Sequence, residues 1–105
     1  MITDSEILTK IKSLGKTILP EGSRLYLYGS RARGDNRPDS DWDLLVLLNK
    51  KHEPDDFDKY SYPFIELGFD LDIRISARDY SLEQWSSIWF TPFYHNVEND
   101  KKVLI

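Results

Sequence analysis

The sequence has no cysteine, a single methionine and no long hydrophobic run among its 105 residues. Without cysteine, the chain has no disulfide framework, thiolate zinc site or cysteine nucleophile, which fits a reducing compartment. The longest aliphatic run, Leu44–Leu48, is far shorter than the roughly 20 residues that span a bilayer. The acidic start of the chain also lacks a signal-peptide pattern. We therefore expect a cytoplasmic domain without a membrane segment.

An excess of basic residues is also missing. The chain has 14 Lys and Arg against 18 Asp and Glu, so its net charge is −4. A general nucleic-acid binder normally needs a basic face to displace counterions, which argues against that class. The length and a hydrophobic fraction of 40% indicate one packed domain over residues 1–105. Its chemistry must come from carboxylates, hydroxyls, arginines or a bound metal.

Hydrophobic periodicity predicts an α/β domain of the α+β type, with a small mixed β-sheet packed with helices. Apolar residues three and four positions apart indicate helices at Asp4–Ile18, Asp55–Leu67, Ser81–Ile88 and Thr91–Val97. Runs of β-favouring residues indicate strands at Arg24–Tyr28 and Asp41–Leu48, and Val103–Ile105 is a candidate edge strand. Strict alternation of apolar and polar residues predicts a further strand at Phe69–Ser76.

Two carboxylates lie at the start of the second predicted strand. Asp41 and Asp43 are two positions apart, so a strand places them on one face, about 6.5–7 Å apart. Ionised carboxylates this close repel each other unless a cation lies between them. Hard oxygen ligands suit Mg²⁺, which completes its shell with waters and substrate phosphates. A pair of such ions activates an attacking oxygen and stabilises a leaving one.

A basic turn bounded by glycines, Gly29-Ser30-Arg31-Ala32-Arg33-Gly34, precedes this pair. Gly29 permits close approach of the backbone, Ser30 offers a hydroxyl and an amide, and a helix starting there would direct free N–H groups outward. Arg31 and Arg33 carry planar, permanently charged groups that suit phosphate oxygens. Alone, a Gly-Ser turn is usually only a turn and an Asp-x-Asp pair a solvated strand edge. In this order, the two indicate a metal–phosphate site.

These two stretches, the glycine turn and Ser40-Asp41-Trp42-Asp43-Leu44, resemble the signature of the DNA polymerase β-type nucleotidyltransferase superfamily. The similarity is greatest to its minimal nucleotidyltransferase (MNT) branch, and it is strongest over Leu25–Leu48. The resemblance implies a polymerase β-like fold in which Gly29 and Ser30 bind the phosphates of a nucleotide, assisted by Arg31 and Arg33. It also implies that Asp41 and Asp43 ligate the metals.

The resemblance implies a third carboxylate on the next strand of the sheet. Leu71-Asp72-Ile73 is similar to the apolar-Asp-apolar element of the family, which makes Asp72 the predicted base or second-metal ligand. Asp70 lies on the same face of the predicted strand and is the alternative. Either carboxylate could instead form an ion pair with Arg74 or Arg78.

The activity implied by the resemblance is Mg²⁺-dependent transfer of a nucleoside monophosphate from an NTP to a hydroxyl, releasing pyrophosphate. Two Mg²⁺ ions are expected, with ATP as the NTP. Larger relatives add a helical domain that holds the acceptor, and this chain has no room for one, so a partner is expected. Minimal relatives often act as antitoxins of a helical HEPN protein, some by adding AMP to a tyrosine of that toxin. Two alternatives stay open: a non-catalytic module that neutralises its partner, and a subunit that modifies a small molecule such as an aminoglycoside.

Aromatic residues concentrate in the last quarter of the chain, at Trp85, Trp89, Phe90, Phe93 and Tyr94. Packing in the core is the first expectation for them. An exposed patch that binds a partner is the alternative.

Overall fold

The computed structural model describes residues 2–105, which form a four-stranded mixed sheet with helices on both faces. The helices are α1 (Asp4–Ile18), α2 (Ser30–Arg33), α3 (Tyr62–Asp70), α4 (Leu82–Ser87) and α5 (Pro92–Asp100), and a π-helical segment (Phe57–Ser61) runs directly into α3. The strands are β1 (Arg24–Tyr28), β2 (Trp42–Leu48), β3 (Ile75–Ser81) and β4 (Lys102–Val103). The predicted class, a small mixed sheet packed with helices, is confirmed.

The sheet brings three strand ends together. Its strand order is β3-β2-β1-β4. β1 and β2 pair antiparallel, so Tyr28 at the end of β1 lies opposite Asp43 near the start of β2. β2 and β3 pair parallel, with Asp43 beside Ser76, after a crossover through α3. The end of β1, the start of β2 and the start of β3 are therefore neighbours.

The side chains of β2 alternate between two hydrophobic clusters, one on each face of the sheet. The first cluster joins β2 to α1 and α3 and includes Ile7, Ile11, Trp42, Leu44, Val46, Leu48 and Phe64. In the second cluster, Leu45 and Leu47 pack against Trp85 of α4 and Val97 of α5. By the same alternation, Asp43 lies on the face that α4 and α5 cover.

α1 begins and ends where the sequence predicts. Thr3 and Glu6 form a capping box at its start: the Glu6 N–H donates to Thr3 Oγ1 at 3.1 Å, and the Thr3 N–H donates to Glu6 Oε1 at 3.2 Å. Ile7 and Ile11 bury its apolar face, and each such side chain stabilises the fold by about 1.5–3 kcal/mol. α1 is thus scaffold for one face of the sheet.

The predicted strand at Phe69–Ser76 is wrong, because α3 continues through Asp70 and β3 begins only at Ile75. The helix ends in a Schellman motif: the Ile73 N–H donates to the Gly68 carbonyl at 2.9 Å, and the Asp72 N–H to the Phe69 carbonyl at 3.3 Å. Asp72 occupies the left-handed position of this motif, with φ +56°. Phe69 is 70% exposed, so the apolar and polar alternation does not reflect a sheet face there.

The aromatic residues near the end of the chain divide between the two expectations. Trp85 is buried, and its ring lies 4.9 Å from that of Tyr94 and 5.8 Å from that of Phe93. Trp89 and Phe90, in the connection between α4 and α5, are exposed. Within residues 2–105, no helix is both long enough and apolar enough to cross a membrane.

Candidate active site

Gly29 closes the site from the β1 side. It follows the last residue of β1 and has φ +75° and ψ −159°, a conformation that side-chain-bearing residues rarely adopt. A Cβ atom at this position would overlap the carboxylate of Asp43. The absence of a side chain therefore serves two purposes: it permits the turn, and it lets the Asp43 carboxylate lie against the backbone of the turn.

Ser30 is the first residue of α2, and it supplies polar groups beside Asp43. Across the described chain, residues 2–105, the N–H groups of Ser30 and Arg31 have no acceptor, and the Ser30 hydroxyl forms no hydrogen bond. Gly29 and Ser30 carbonyls accept the later N–H groups of the turn, including that of Gly34 at 2.8 Å. The turn is thus internally bonded, while its leading N–H groups stay available to an anion.

Asp41 and Asp43 form a carboxylate pair with little counter-charge. The Arg74 guanidinium contacts Asp41 at 3.3 Å, but this pair is solvent-exposed and weak. The Asp43 carboxylate has no hydrogen-bond or ion-pair partner in the part of the chain described. Burial and the neighbouring charge of Asp41 raise the pKa of Asp43, and Arg78 and Arg33 oppose this only in part. A divalent cation would relieve this repulsion, and carboxylate oxygens are the ligands that Mg²⁺ prefers.

Arg31 points away from this pair. Its guanidinium stacks on the Trp42 ring at 4.2 Å and donates to the carbonyls of Ser40 and Pro38, each at 3.0 Å. Its side chain is only 7% exposed. Because the carbonyls it holds belong to the loop that leads into Asp41, Arg31 fixes that loop to α2.

Arg33 lies between the turn and α5. Its guanidinium contacts Asp35 at 3.1 Å and Asp100, the last residue of α5, at 2.9 Å. These two hydrogen bonds raise the pKa of Arg33, and its charge reaches Asp43. Unlike Arg31, this side chain is part exposed on the side of the carboxylate pair.

The structure does not bring Asp72 or Asp70 to the carboxylate pair as a third ligand. Asp70 ends α3 and Asp72 lies in the turn after it, so neither is on β3. Among residues 2–105, the acidic and histidine side chains that come within joint ligand distance are His52, Asp56 and Asp79, not Asp41, Asp43 and Asp72. Asp72 instead lines a groove of about 520 Å³ with Trp42 and Phe69, on the other side of β2.

Arg78 lies next to the carboxylate pair. From the sequence, Arg78 was predicted only as an ion-pair partner of Asp70 or Asp72. On β3, Arg78 lies beside Leu45 and shares the face of Asp43. Its guanidinium lies over the Phe93 ring, 4.8 Å from the centroid. Arg78 is two residues after Ser76, so a strand that continued past Ser76 would have placed both side chains on one face. The predicted strand ended at Ser76, and this relation was therefore missed.

One protein-family model matches most of this chain. The family model of the nucleotidyltransferase domain matches residues 5–84, which include α1, both glycines of the turn, the carboxylate pair and β3. The chain belongs to the nucleotidyltransferase domain family. The recognition made from the turn and the Asp-x-Asp pair is therefore confirmed.

Solved structures of toxin–antitoxin proteins share the fold. A toxin–antitoxin structure with AMP-PNP matches 93% of this chain and 72% of its own, with TM-score 0.66 and 23% identity. Two mutants of the MntA–HpeT toxin–antitoxin match with TM-score 0.64: one at 20% identity over 93% of this chain and 71% of its own, the other at 22% over 100% and 73%. Comparison with curated proteins finds no match. The nucleotidyltransferase fold predicted from the sequence is confirmed.

Proposed function

We propose that this domain transfers AMP from ATP to a hydroxyl of a protein partner in a Mg²⁺-dependent reaction. The observation that carries the proposal is the undercompensated pair Asp41 and Asp43, closed against the turn at Gly29 and Ser30. An acidic pair beside a turn with free backbone N–H groups suits a metal-bound polyphosphate, whereas a purely structural pair would be stabilised by its own counter-charges.

Asp41 and Asp43 are the residues that hold Mg²⁺. When bound, the ion neutralises charge that develops on the phosphate oxygens and orients the reacting groups. The resemblance implies two ions, and the donors assembled at the site are two carboxylates. We therefore propose at least one Mg²⁺ held by this pair, and substitution of Asp72 or Asp70 by Asn is expected to change metal-dependent ATP binding little.

The phosphates of ATP lie against the turn. Ser30 contributes its hydroxyl and its N–H, and the Arg31 N–H adds a second backbone donor. The Arg33 guanidinium contacts the outer phosphates by exchanging one of its two carboxylate partners. The Arg31 guanidinium acts through position instead, because its donors are already engaged with loop carbonyls.

The reaction is an in-line displacement at the α-phosphate. The acceptor oxygen forms a bond to the α-phosphorus, the bond to the bridging oxygen of the β-phosphate breaks, and pyrophosphate leaves. The proton of the acceptor hydroxyl is released to water. The protein contributes mainly positioning and charge, as is usual in phosphoryl chemistry.

The acceptor is proposed to be a tyrosine of a HEPN-type toxin, so that the domain acts as an antitoxin in the cytoplasm. Support comes from the toxin–antitoxin proteins that share the fold. A partner would also explain the exposed Trp89 and Phe90, since buried aromatic anchors dominate many interfaces.

ATP labelled at the α-phosphate tests the proposal. The purified domain is incubated with Mg²⁺, ATP and the protein encoded by the neighbouring gene, and label on that protein is measured. We expect label from α-labelled ATP, none from γ-labelled ATP, and none with Asp43→Asn. Label from γ-labelled ATP would indicate phosphoryl transfer and contradict the proposal.

A non-catalytic neutralising module is the second candidate. One observation favours it: β3 presents no carboxylate to the site, so the third family carboxylate is not assembled. The two candidates separate on Asp43→Asn. If this variant neutralises the toxin as well as the wild type in cells, binding alone suffices, and the catalytic proposal fails.

A further inference from the structure

We propose that Arg78 is a further binding residue of this site, one that contacts the β- and γ-phosphates of the bound nucleotide. This inference rests on the proposed function and extends it to a residue on β3. On the face of the sheet that carries Asp43, β3 presents Ser76, beside Asp43, and Arg78, two residues further along and beside Leu45. Where the family resemblance implies a third acid, this strand therefore presents a hydroxyl and a cation.

Arg78 is a cation with no acid of its own. Throughout residues 2–105, no carboxylate lies within ion-pair distance of its guanidinium, although the chain carries an excess of acidic side chains. Six other basic side chains contact carboxylates, namely Arg31, Arg33, Lys50, Lys59, Arg74 and Lys101. Other exposed cations of the described chain, Arg24 among them, are also unpaired, so what distinguishes Arg78 is its position on the face of Asp43. An exposed arginine beside a two-carboxylate site, itself unpaired, is suited to a polyphosphate.

Aromatic packing aims this side chain. The Arg78 guanidinium lies over the face of Phe93 on α5, and Phe93 in turn packs edge-on against Tyr28, with ring centroids 5.8 Å apart. Tyr28 pairs with Asp43 across the sheet. This chain of contacts holds the guanidinium over one face while leaving its N–H edges free for hydrogen bonds.

Arg78 and the glycine turn lie on opposite sides of the carboxylate pair, and the proposal assigns the outer phosphates to the space between them. Gly29 and Ser30 lie on the β1 side of Asp43, and Arg78 lies on its β3 side, so the two flank the carboxylate pair. A metal-bound triphosphate between these strands would meet the turn on one side and the guanidinium on the other. AMP lacks the two phosphates that the guanidinium would contact.

Isothermal titration calorimetry with ATP, pyrophosphate and AMP, each with Mg²⁺, tests this inference on the full domain. We expect Arg78→Gln to weaken ATP and pyrophosphate binding about 10- to 100-fold, the loss of a charged hydrogen-bonded contact, and to leave AMP binding unchanged. Arg78→Lys should restore part of the affinity. Arg24→Gln is the matched control, because Arg24 is also an exposed strand arginine but lies at the far end of β1. Circular dichroism checks that each variant is folded.

Three results would overturn the inference: an unchanged ATP affinity in Arg78→Gln, an equal loss for AMP and ATP, or an equal effect of Arg24→Gln. The failure of this inference is distinguishable from that of the proposed function. AMP transfer by the wild type, with unchanged ATP affinity in Arg78→Gln, would overturn the inference alone. Arg78-dependent ATP binding without any AMP transfer would overturn the proposed function and leave the inference standing.

Discussion

The carboxylates near the two ends of β2 differ in how their charge is compensated. Beyond its carboxyl end, Asp56 is almost fully buried, and it accepts hydrogen bonds from Lys50 Nζ at 2.6 Å and from the Glu53 N–H at 2.9 Å. Burial alone would raise the pKa of Asp56, but these donors hold it below its usual value. At the amino end, Asp43 is half-buried without such donors, and its pKa is raised.

Asp56 is therefore a structural carboxylate, whereas we interpret Asp43 as a ligand-binding one. A buried carboxylate with bonded partners contributes to stability, whereas one beside a second carboxylate costs stability until a cation arrives. The Lys50–Asp56 pair therefore needs nothing from outside the chain. We propose that the Asp41–Asp43 pair binds a metal, which would place the function at the amino end of β2.

Substitution of Asp41 or Asp43, at the amino end of β2, should have the largest effect on activity. We expect Asp41→Asn and Asp43→Asn each to lower the rate of AMP transfer about 10²–10³-fold or more, because each removes a charge that holds the metal. The measurement is transfer of α-phosphate label to the partner. Asp39→Asn, an exposed acid in the preceding loop, is the control and should retain the wild-type rate. A variant of the pair with the wild-type rate would refute the assigned role.

Substitution of Asp56, beyond the carboxyl end of β2, should lower the stability of the fold instead. Asp56→Asn leaves the Lys50 ammonium with one weaker partner, so we expect a loss of about 3 kcal/mol in the free energy of unfolding. Urea denaturation measures it. Asp55→Asn is the neighbouring control, since the Asp55–Lys59 pair is exposed to solvent and contributes little to stability. Similar losses in both variants would mean that burial does not distinguish these acids.

The pH dependence at this end has a defined sign. The pKa of Asp56 is lower in the folded protein than in the unfolded chain. Its contribution is therefore present above the usual carboxyl pKa and is lost as the pH falls through the lowered value. Asp56→Asn should consequently lose its penalty in strong acid.

Two glycine substitutions test the close approach of the glycine turn to the Asp43 carboxylate. Gly29→Ala should cost about 2–3 kcal/mol and abolish ATP binding, because the methyl group is strained and displaces the Asp43 carboxylate. Gly34→Ala also has positive φ, but its methyl group meets nothing within 4 Å, so about 1–2 kcal/mol is expected with binding retained. Calorimetry and denaturation read both quantities. Normal ATP binding by Gly29→Ala would contradict the close approach of turn and carboxylate.

The smallest expected effect concerns the stability cost of Asp43 itself. Its raised pKa means that the folded protein binds a proton more tightly than the unfolded chain, so stability falls as the pH rises through the usual carboxyl pKa to the raised value. Without Mg²⁺ at pH 7, Asp43→Asn should therefore be more stable than the wild type, by about 0.2–1 kcal/mol, the size of a partly solvated charge interaction.

This advantage should vanish as the pH falls below about 4, where Asp43 is protonated in both states. Urea denaturation in a chelating buffer at both pH values measures it, and a destabilised Asp43→Asn at pH 7 would contradict the account. The same substitution at Asp56 is expected to have the opposite sign at neutral pH. The pair of variants thus compares the two ends of β2 directly.

The arrangement of the candidate site at the amino end of β2 was largely predictable from local sequence. Gly29, Ser30, Asp41 and Asp43 lie in adjoining elements whose order and periodicity are local properties, and β1 begins and ends as predicted. The third strand was not predictable in this way. Phe69, Leu71 and Ile73 alternate as in a strand, yet they belong to the last turn of α3 and its Schellman motif.

Side-chain direction was the other quantity that local sequence could not supply. Arg31 stacks on Trp42, a contact made across the loop between them, so its sequence neighbours do not indicate that its side chain points away from the Asp41–Asp43 pair. Arg78 reaches the site only through the register of β3 on β2. Both residues depend on tertiary packing, which sequence periodicity does not encode.

Calorimetric titration of ATP into the wild-type domain, with Mg²⁺ and then with a chelator, tests the central claim most directly. We expect ATP to bind only with Mg²⁺, and we expect Asp41→Asn and Asp43→Asn to lose this metal-dependent binding while staying folded. ATP binding that is unaffected by the chelator, or by either substitution, would contradict a metal–nucleotide site at the amino end of β2.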